Sequence, residues 1–423
     1  MSDWTIINEG SITSPKGFVA QAISAGIKNP QSPKLDLALV VSQQPAVSSG
    51  FFTTNAVSAA PVRLNQSYLK NHHFQAVIVN SGNANACTGS QGDQDAVTMT
   101  NSIAEQLSLA PEQVGVCSTG VIGLPMPMQR ITPALSKVTQ SLSKTNGTLF
   151  AEAIMTSDTK IKQIAIQTTL SDGSTITIGG CAKGAGMIHP NMATMLAFIT
   201  TDVAISAELL KELSAQALPY SFNAISIDGD MSTNDTLLVL ANGASHAPTL
   251  TAESPDTIIF KQGLLKVMQH LAFSMVRDGE RVTKFVTVNV VNAASESDAR
   301  KIANAVATSS LVKSSWNGED PNWGRVIHAV GYARAEQLDP NSITISYSDS
   351  STSITPCENG LQAKIDMPTL QAIVSKTEFA IKIDLQIGEA QSTIYSSDLS
   401  PEYVDFNRSE YAYWKQAKSD GLI

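Results

Sequence analysis

Lys183-Gly-Ala-Gly-Met-Ile-His-Pro-Asn-Met-Ala-Thr-Met-Leu-Ala-Phe-Ile-Thr200 is the stretch on which the reading of this chain turns. A Gly- and Pro-punctuated approach ends at the small residue Ala193, Thr194 follows, and an apolar run begins at Met195. Glycine and proline mark irregular backbone, and the apolar run to Thr201 reads as a central strand. A hydroxyl residue at such a junction suits a nucleophile made by cutting the chain in front of it. A threonine at a new amino terminus carries its hydroxyl and its own α-amine together, so no separate histidine is needed as base. That amine titrates near pH ~8, close to the working pH wanted in a general base. Taken alone, the stretch also fits a plain Thr in a buried strand after a Gly loop.

The rest of the chain narrows the choice. At 423 residues it can bury a large core in more than one packing unit. Apolar residues make up 43% and charged residues 15%, which argues against disorder and against a coiled coil. A net charge of -9, with no Lys/Arg run, leaves no basic patch for nucleic acid. No signal peptide is evident, and no apolar stretch reaches the ~18 residues of a membrane span. Cys87, Cys117, Cys181 and Cys357 lie far apart with no CxxC pair, so neither a zinc site nor a disulfide framework is expected. They read as reduced, mostly buried residues of a cytoplasmic protein.

Strand and helix signals alternate. Gln75–Asn80 and Val114–Gly120 read as strands ending in turn or polar residues, with a helix over roughly Asp95–Leu107 between them. Ile161–Leu170 and Ser174–Ile178 flank Ser171-Asp-Gly173 as a hairpin. Ala207–Leu218 and Leu264–Val276 carry helical spacing, and Ser295 with Asp298 resembles a capping box. Thr236–Ala241, Phe285–Val290, Phe379–Ile387 and Ser392–Tyr395 read as strands. The expected class is α/β, with layered sheets flanked by helices.

Several constellations could carry chemistry. Ser118-Thr-Gly120 ends a strand where backbone N–H groups can turn toward an oxyanion, although a simple strand-end turn has the same look. Lys183 is a lone cation in apolar, Gly-rich surroundings. It reads equally as a snorkelling surface lysine or as a buried one that requires an anionic partner. Arg277–Lys284 clusters charge where a carboxylate could be aimed into a cleft, or where a solvated loop could lie. Asp228-Gly-Asp230 lacks the spacing of a calcium loop and reads as a turn scaffold. His189 reads as a structural hydrogen-bonding residue. No nucleotide fingerprint or GxSxG elbow is present.

Taken together these strings resemble the ornithine acetyltransferase family, which acts as glutamate N-acetyltransferases in the cyclic arginine pathway. The resemblance runs through Pro15–Phe18, Ala25–Lys28, Phe52–Asn55, Asn80–Gly89, Ser118–Gly123, Ala153–Thr156, Lys183–Thr201, Ser226–Asn234, Asp278–Glu280, Thr283–Val286 and Gly318–Arg325. It implies self-cleavage between Ala193 and Thr194 into an α chain, 1–193, and a β chain, 194–423. These stay intertwined, usually as α2β2, in a fold shared with a self-processing aminopeptidase. Thr194 would be the nucleophile that forms an acetyl-enzyme, and Thr119 and Gly120 match the oxyanion pair. Thr156, Lys183, Glu280 and Asn407 match substrate-binding positions. Charge matching then assigns Lys183 to a substrate carboxylate and Glu280 to a cationic amine. The implied reaction moves acetyl from N-acetylornithine to glutamate without a metal or bound cofactor; some members also draw the acetyl group from acetyl-CoA.

The chain departs from the family pattern at two places. The family usually has a small residue after Asp-Gly-Glu, where this chain has Arg281, which could pair with Glu280 or point to solvent. The family also ends soon after an Asn-Ala-acid-Tyr motif with a substrate-touching hydroxyl residue. Here Asn407-Arg-Ser-Glu-Tyr-Ala-Tyr413 is followed by ten more residues. These departures bear on substrate identity. They leave open an acyl transfer or amide hydrolysis on a different N-acyl amino acid, and a processed binding protein without catalysis.

Overall fold

The computed structural model describes residues 4–71, 73–189, 195–419 and Gly421. Ala193 and Thr194 therefore lie outside the described residues. The architecture is α/β, as expected, with three sheets flanked by helices.

A six-stranded sheet joins, in spatial order, Thr5–Ile6, Lys162–Thr169, Thr175–Lys183, Leu196–Thr201, Thr236–Ala241 and Val47–Phe52. Leu196–Thr201 is central, antiparallel to Thr175–Lys183 and parallel to Thr236–Ala241. Alternation along it explains the unbroken apolar run: Leu196 and Phe198 point into one core, Ala197 and Ile199 into another. A strand covered on both faces has no polar side to show.

The first of those cores lies between this sheet and a four-stranded one made of Phe18–Ile23, Leu37–Ser42, Ala76–Asn83 and Val114–Val121. Val77, Val79 and Cys117 face the six-stranded sheet, while Ile78, Val114 and Val116 face helices Gly89–Leu107 and Met128–Val138. On the far side of the six-stranded sheet lie helices Ala207–Ala217 and Pro255–Arg277. The result is helix, sheet, sheet, helix, each interface burying side chains worth about 1.5–3 kcal/mol apiece. A seven-stranded sheet with Phe285–Ala293 near its middle forms a separate core with helices Glu296–Thr308, Ser310–Asn317 and Trp323–Gly331.

Boundaries differ from expectation in instructive ways. The helix expected at Asp95 begins at Gly89: its first turns lack apolar periodicity and are braced from the preceding loop, where Asn85 Nδ2 donates to the Gly92 carbonyl at 2.9 Å. The helix expected from Leu264 begins at Pro255, where proline occupies the first turn. The strand expected to reach Ile387 stops at Asp384, shortly before Gln386 adopts φ 58°. Ser295 caps its helix by accepting the Asp298 N–H at 3.1 Å. Cys117, Cys181 and Cys357 are buried free thiols, and Cys87 is exposed.

Candidate active site

The strands Ala76–Asn83 and Val114–Val121 run parallel and finish together, so Gly82 sits opposite Gly120. Gly120 has φ 133°, and a Cβ there would lie 2.3 Å from the Gly82 carbonyl carbon. Only glycine fits this close approach. Thr119 is buried beside it. The strand end is braced from the six-stranded sheet: Asn234 Nδ2 donates to the carbonyls of Ala84 at 2.6 Å and Ser118 at 2.9 Å. The next residue, Asp235, is fully buried, and its Oδ1 accepts the Met195 N–H at 2.8 Å. Neighbouring side chains thus tie the end of one sheet's strand to the start of the other's.

Lys183, at the end of its strand, is only 5% exposed. Its Nζ donates to Thr156 Oγ1 at 2.7 Å and to Thr119 Oγ1 at 3.3 Å. Of the two readings open for it, the structure takes the buried one. Burial lowers its pKa, and the charges of Asp158 and Glu280 oppose that shift. Asp158 underlies the arrangement: it accepts the Gly184 N–H at 2.7 Å, the Thr156 N–H at 3.0 Å and Lys162 Nζ at 2.6 Å. Lys162 also pairs with Asp278 at 2.5 Å, both side chains being buried. Burial disfavours the Asp158 carboxylate, but Lys183 and Lys162 outweigh it and hold the pKa below the usual carboxylate range.

Asp278 in turn receives the Thr159 N–H at 3.0 Å, which fixes the charged turn bearing Glu280. The Glu280 N–H donates to the Ala185 carbonyl at 2.7 Å. A Cβ on Gly186 would fall 2.6 Å from the Glu280 carboxyl carbon, so a glycine lets that carboxylate settle on the loop. Asn407 Nδ2 donates to Glu280 Oε2 at 3.1 Å. Gly120, Thr156, Glu280 and Asn407 line one cavity of about 920 Å³. The six described candidates, Thr119, Gly120, Thr156, Lys183, Glu280 and Asn407, are therefore brought together from segments far apart in sequence.

With that geometry in view, the comparisons with known proteins are direct. The ArgJ family matches residues 19–412. The chain belongs to the ArgJ family. A curated ArgJ relative, the arginine biosynthesis bifunctional protein of Symbiobacterium thermophilum, is 45% identical over 400 residues, covering 95% of this chain and 98% of its own. That of Caldanaerobacter subterraneus is 43% identical over 403 residues, covering 95% and 99%. A crystal structure of the Bacillus halodurans ArgJ protein aligns at 41% identity and TM-score 0.42, covering 45% of this chain and 98% of that one. As an ArgJ chain, this is an enzyme of arginine biosynthesis.

Within this ArgJ chain, Arg281 takes the solvent-exposed alternative: with φ 58°, its guanidinium lies over the Phe406 ring at 4.9 Å. Asp228 is the turn scaffold expected, accepting the Ile188 N–H at 2.9 Å, and His189 Nδ1 lies 3.3 Å from Ser226 Oγ. Among the described residues no group of His, Cys, Asp or Glu is placed to hold a metal, and no helix is long and apolar enough to cross a membrane. Sequence reasoning missed Asp158, Lys162, Asn234 and Asp235 as site supports. The signal for Asp158, Asn234 and Asp235 was their place inside or close to the matched strings, as with Asp158 two residues after Thr156; Lys162 carried no such signal.

Proposed function

We propose that this enzyme transfers the acetyl group of N-acetylornithine to glutamate through an acetyl ester on Thr194. The chain is first cleaved between Ala193 and Thr194, which frees the Thr194 α-amine. The Thr194 hydroxyl then attacks the acetyl carbonyl and passes its proton to that amine. The tetrahedral oxyanion is met by the Thr119 hydroxyl and the Gly120 N–H. The C–N bond breaks, the proton moves to the departing nitrogen, and ornithine leaves. Glutamate enters as its free amine and attacks the ester. Its surplus proton goes to the α-amine and then to Thr194 Oγ, yielding N-acetylglutamate and the starting enzyme.

The observation that carries this reading is the cavity where Gly120, Thr156, Glu280 and Asn407 converge, with Lys183 bonded to both Thr119 and Thr156. Because Lys183 donates to Thr119 Oγ1, the Thr119 hydroxyl proton is left to point at an oxyanion. Lys183 suits a substrate carboxylate and Glu280 an ammonium group. The ties from Asp235 to Met195 and from Asn234 to Ser118 support a nucleophile held within reach of the oxyanion donors. The scheme uses no metal or resident cofactor, and acetyl-CoA would enter as an alternative donor to the same hydroxyl.

After cleavage, residues 1–193 and 194–423 would stay interlocked, since the six-stranded sheet takes strands from both parts. We assign the pair an α2β2 assembly and a cytoplasmic site, in keeping with the free thiols. A denaturing gel of wild type beside Thr194→Ala tests the cleavage: fragments of about 20 and about 24 kDa are expected from wild type alone. Intact mass after mixing with N-acetylornithine tests the chemistry. One acetyl group on the fragment starting at Thr194 supports it; an unchanged mass in processed, folded enzyme overturns it.

A further inference from the structure

The cavity wall carries charges of both signs. Glu280, Asp228 and Asp230 supply the acidic part on one side, while the loop between strands Phe18–Ile23 and Leu37–Ser42 supplies Lys28 and Lys34 together with one carboxylate, Asp36. Among the described residues that line the cavity, these two lysines are the cations.

Their loop is built firmly. The Asp36 carboxylate accepts the Ala25 and Ile27 N–H groups, each at 2.6 Å, and so shapes the turn that leads into Lys28. Lys28 is seated on Gly82: a Cβ added there would lie 3.0 Å from the Lys28 Cβ and 3.3 Å from its nitrogen. Gly82 pairs with Gly120, so the stem of Lys28 starts beside the strand end that bears the proposed oxyanion donors. Lys34 Nζ donates to the carbonyls of Met155 at 3.0 Å and Thr156 at 3.4 Å, close to the threonine that accepts from Lys183.

On the reading above, both amino acids present their α-nitrogen to the same acyl carbon, so their backbones superpose and their side chains share the cavity. The side chains carry opposite charge: ornithine ends in an ammonium group, glutamate in a carboxylate. A carboxylate set among Glu280, Asp228 and Asp230 would be repelled, because like charges in a partly dehydrated site interact strongly. One subsite cannot serve both.

We propose that Lys28 and Lys34 form the subsite for the side-chain carboxylate of the acyl acceptor, a dicarboxylic amino acid, apart from the acidic subsite of the diamino acid. The inference rests on the acetyl-transfer reading. It makes the loop at 24–35 the specificity element of the second half-reaction.

The test uses the processed enzyme and variants Lys28→Met, Lys34→Met and Lys28→Arg. The KM for glutamate is measured in the complete transfer. The KM for N-acetylornithine is measured in the exchange of labelled ornithine into N-acetylornithine, which needs no glutamate. Each methionine variant should raise the glutamate KM about tenfold more than the N-acetylornithine KM, the size expected for one charge-assisted hydrogen bond. Lys28→Arg should recover most of that loss. A glutamate KM that stays put, or two KM values that rise together through damage to the loop, overturns the subsite. Absence of exchange in wild type would instead bring down the acetyl-transfer reading, and the subsite with it.

Discussion

Asp235 accepts the backbone N–H of Met195 at 2.8 Å from a fully buried position. Asp235 immediately precedes the strand Thr236–Ala241, and Met195 immediately precedes its parallel neighbour Leu196–Thr201, in which Thr236 pairs with Leu196. The carboxylate therefore fixes the level at which the central strand begins. Asn234, one residue earlier, does the same for the end of Val114–Val121 in the facing sheet. A two-residue segment ties the start of the central strand to the end of Val114–Val121.

Gly120→Ala should be severe. The added methyl meets the Gly82 carbonyl carbon at 2.3 Å, and φ 133° disfavours any Cβ. Loss of one aligned oxyanion donor would lower kcat by about 10²–10³. Steady-state kinetics on protein shown by circular dichroism to be folded will check this.

Asp158→Asn should cost about 3–5 kcal/mol of stability, since it breaks a buried ion pair and leaves Lys162 and Lys183 without that charge. The sign with pH follows from the lowered pKa. The carboxylate's contribution is fully present above the ordinary value of about 3.9 and is lost as pH falls below it toward the folded value. Urea titrations at several acidic pH values should show a shallower loss in the variant than in wild type.

Gly186→Ala places a methyl 2.6 Å from the Glu280 carboxyl carbon. The Glu280 side chain must move, and its hydrogen bond from Asn407 with it. The KM for N-acetylornithine should rise about tenfold, with stability changed by about 1 kcal/mol, because the neighbour displaced is a side-chain end. Comparing KM with the urea midpoint separates the two effects.

Lys313 gives a different pH signature. Burial pulls its pKa down to about 8, against the opposing charges of Asp398 and Asp228. Between that value and the ordinary ~10.4 the unfolded chain binds the proton that the folded protein has released. Wild type should therefore gain stability relative to Lys313→Met as pH rises from about 8 toward 10, readable from denaturation midpoints. A constant difference between the two would mean that Lys313 titrates normally.

The alternating strand and helix signals foretold the layered α/β class because periodicity reports which faces are covered, and covered faces are what stack into layers. The run from Met195 to Thr201 was legible as a central strand for the same reason. Helix starts were harder. Gly89–Gln94 carries no apolar stripe, and the bond from Asn85 that braces it comes from the loop before the helix, where no periodicity announces it. The fate of Lys183 was likewise undecided locally: a lysine in a Gly-rich stretch can snorkel or be buried, and only the Thr119 and Thr156 hydroxyls and the Asp158 charge make burial tolerable.

The ordered strings that resemble the ornithine acetyltransferase family placed Thr119, Gly120, Thr156, Lys183, Glu280 and Asn407 as candidates, because such a resemblance is carried residue by residue along the chain. Their meeting in one cavity was settled by the tertiary fold. Lys183 and Glu280 stand 97 positions apart, and it is the Ala185 carbonyl, accepting the Glu280 N–H, that brings Glu280 to the loop after Lys183. Asp158, Asn234 and Asp235 became visible only there. A buried polar side chain acts through the partners that folding gives it, and those partners come from strands of different sheets that no local pattern links.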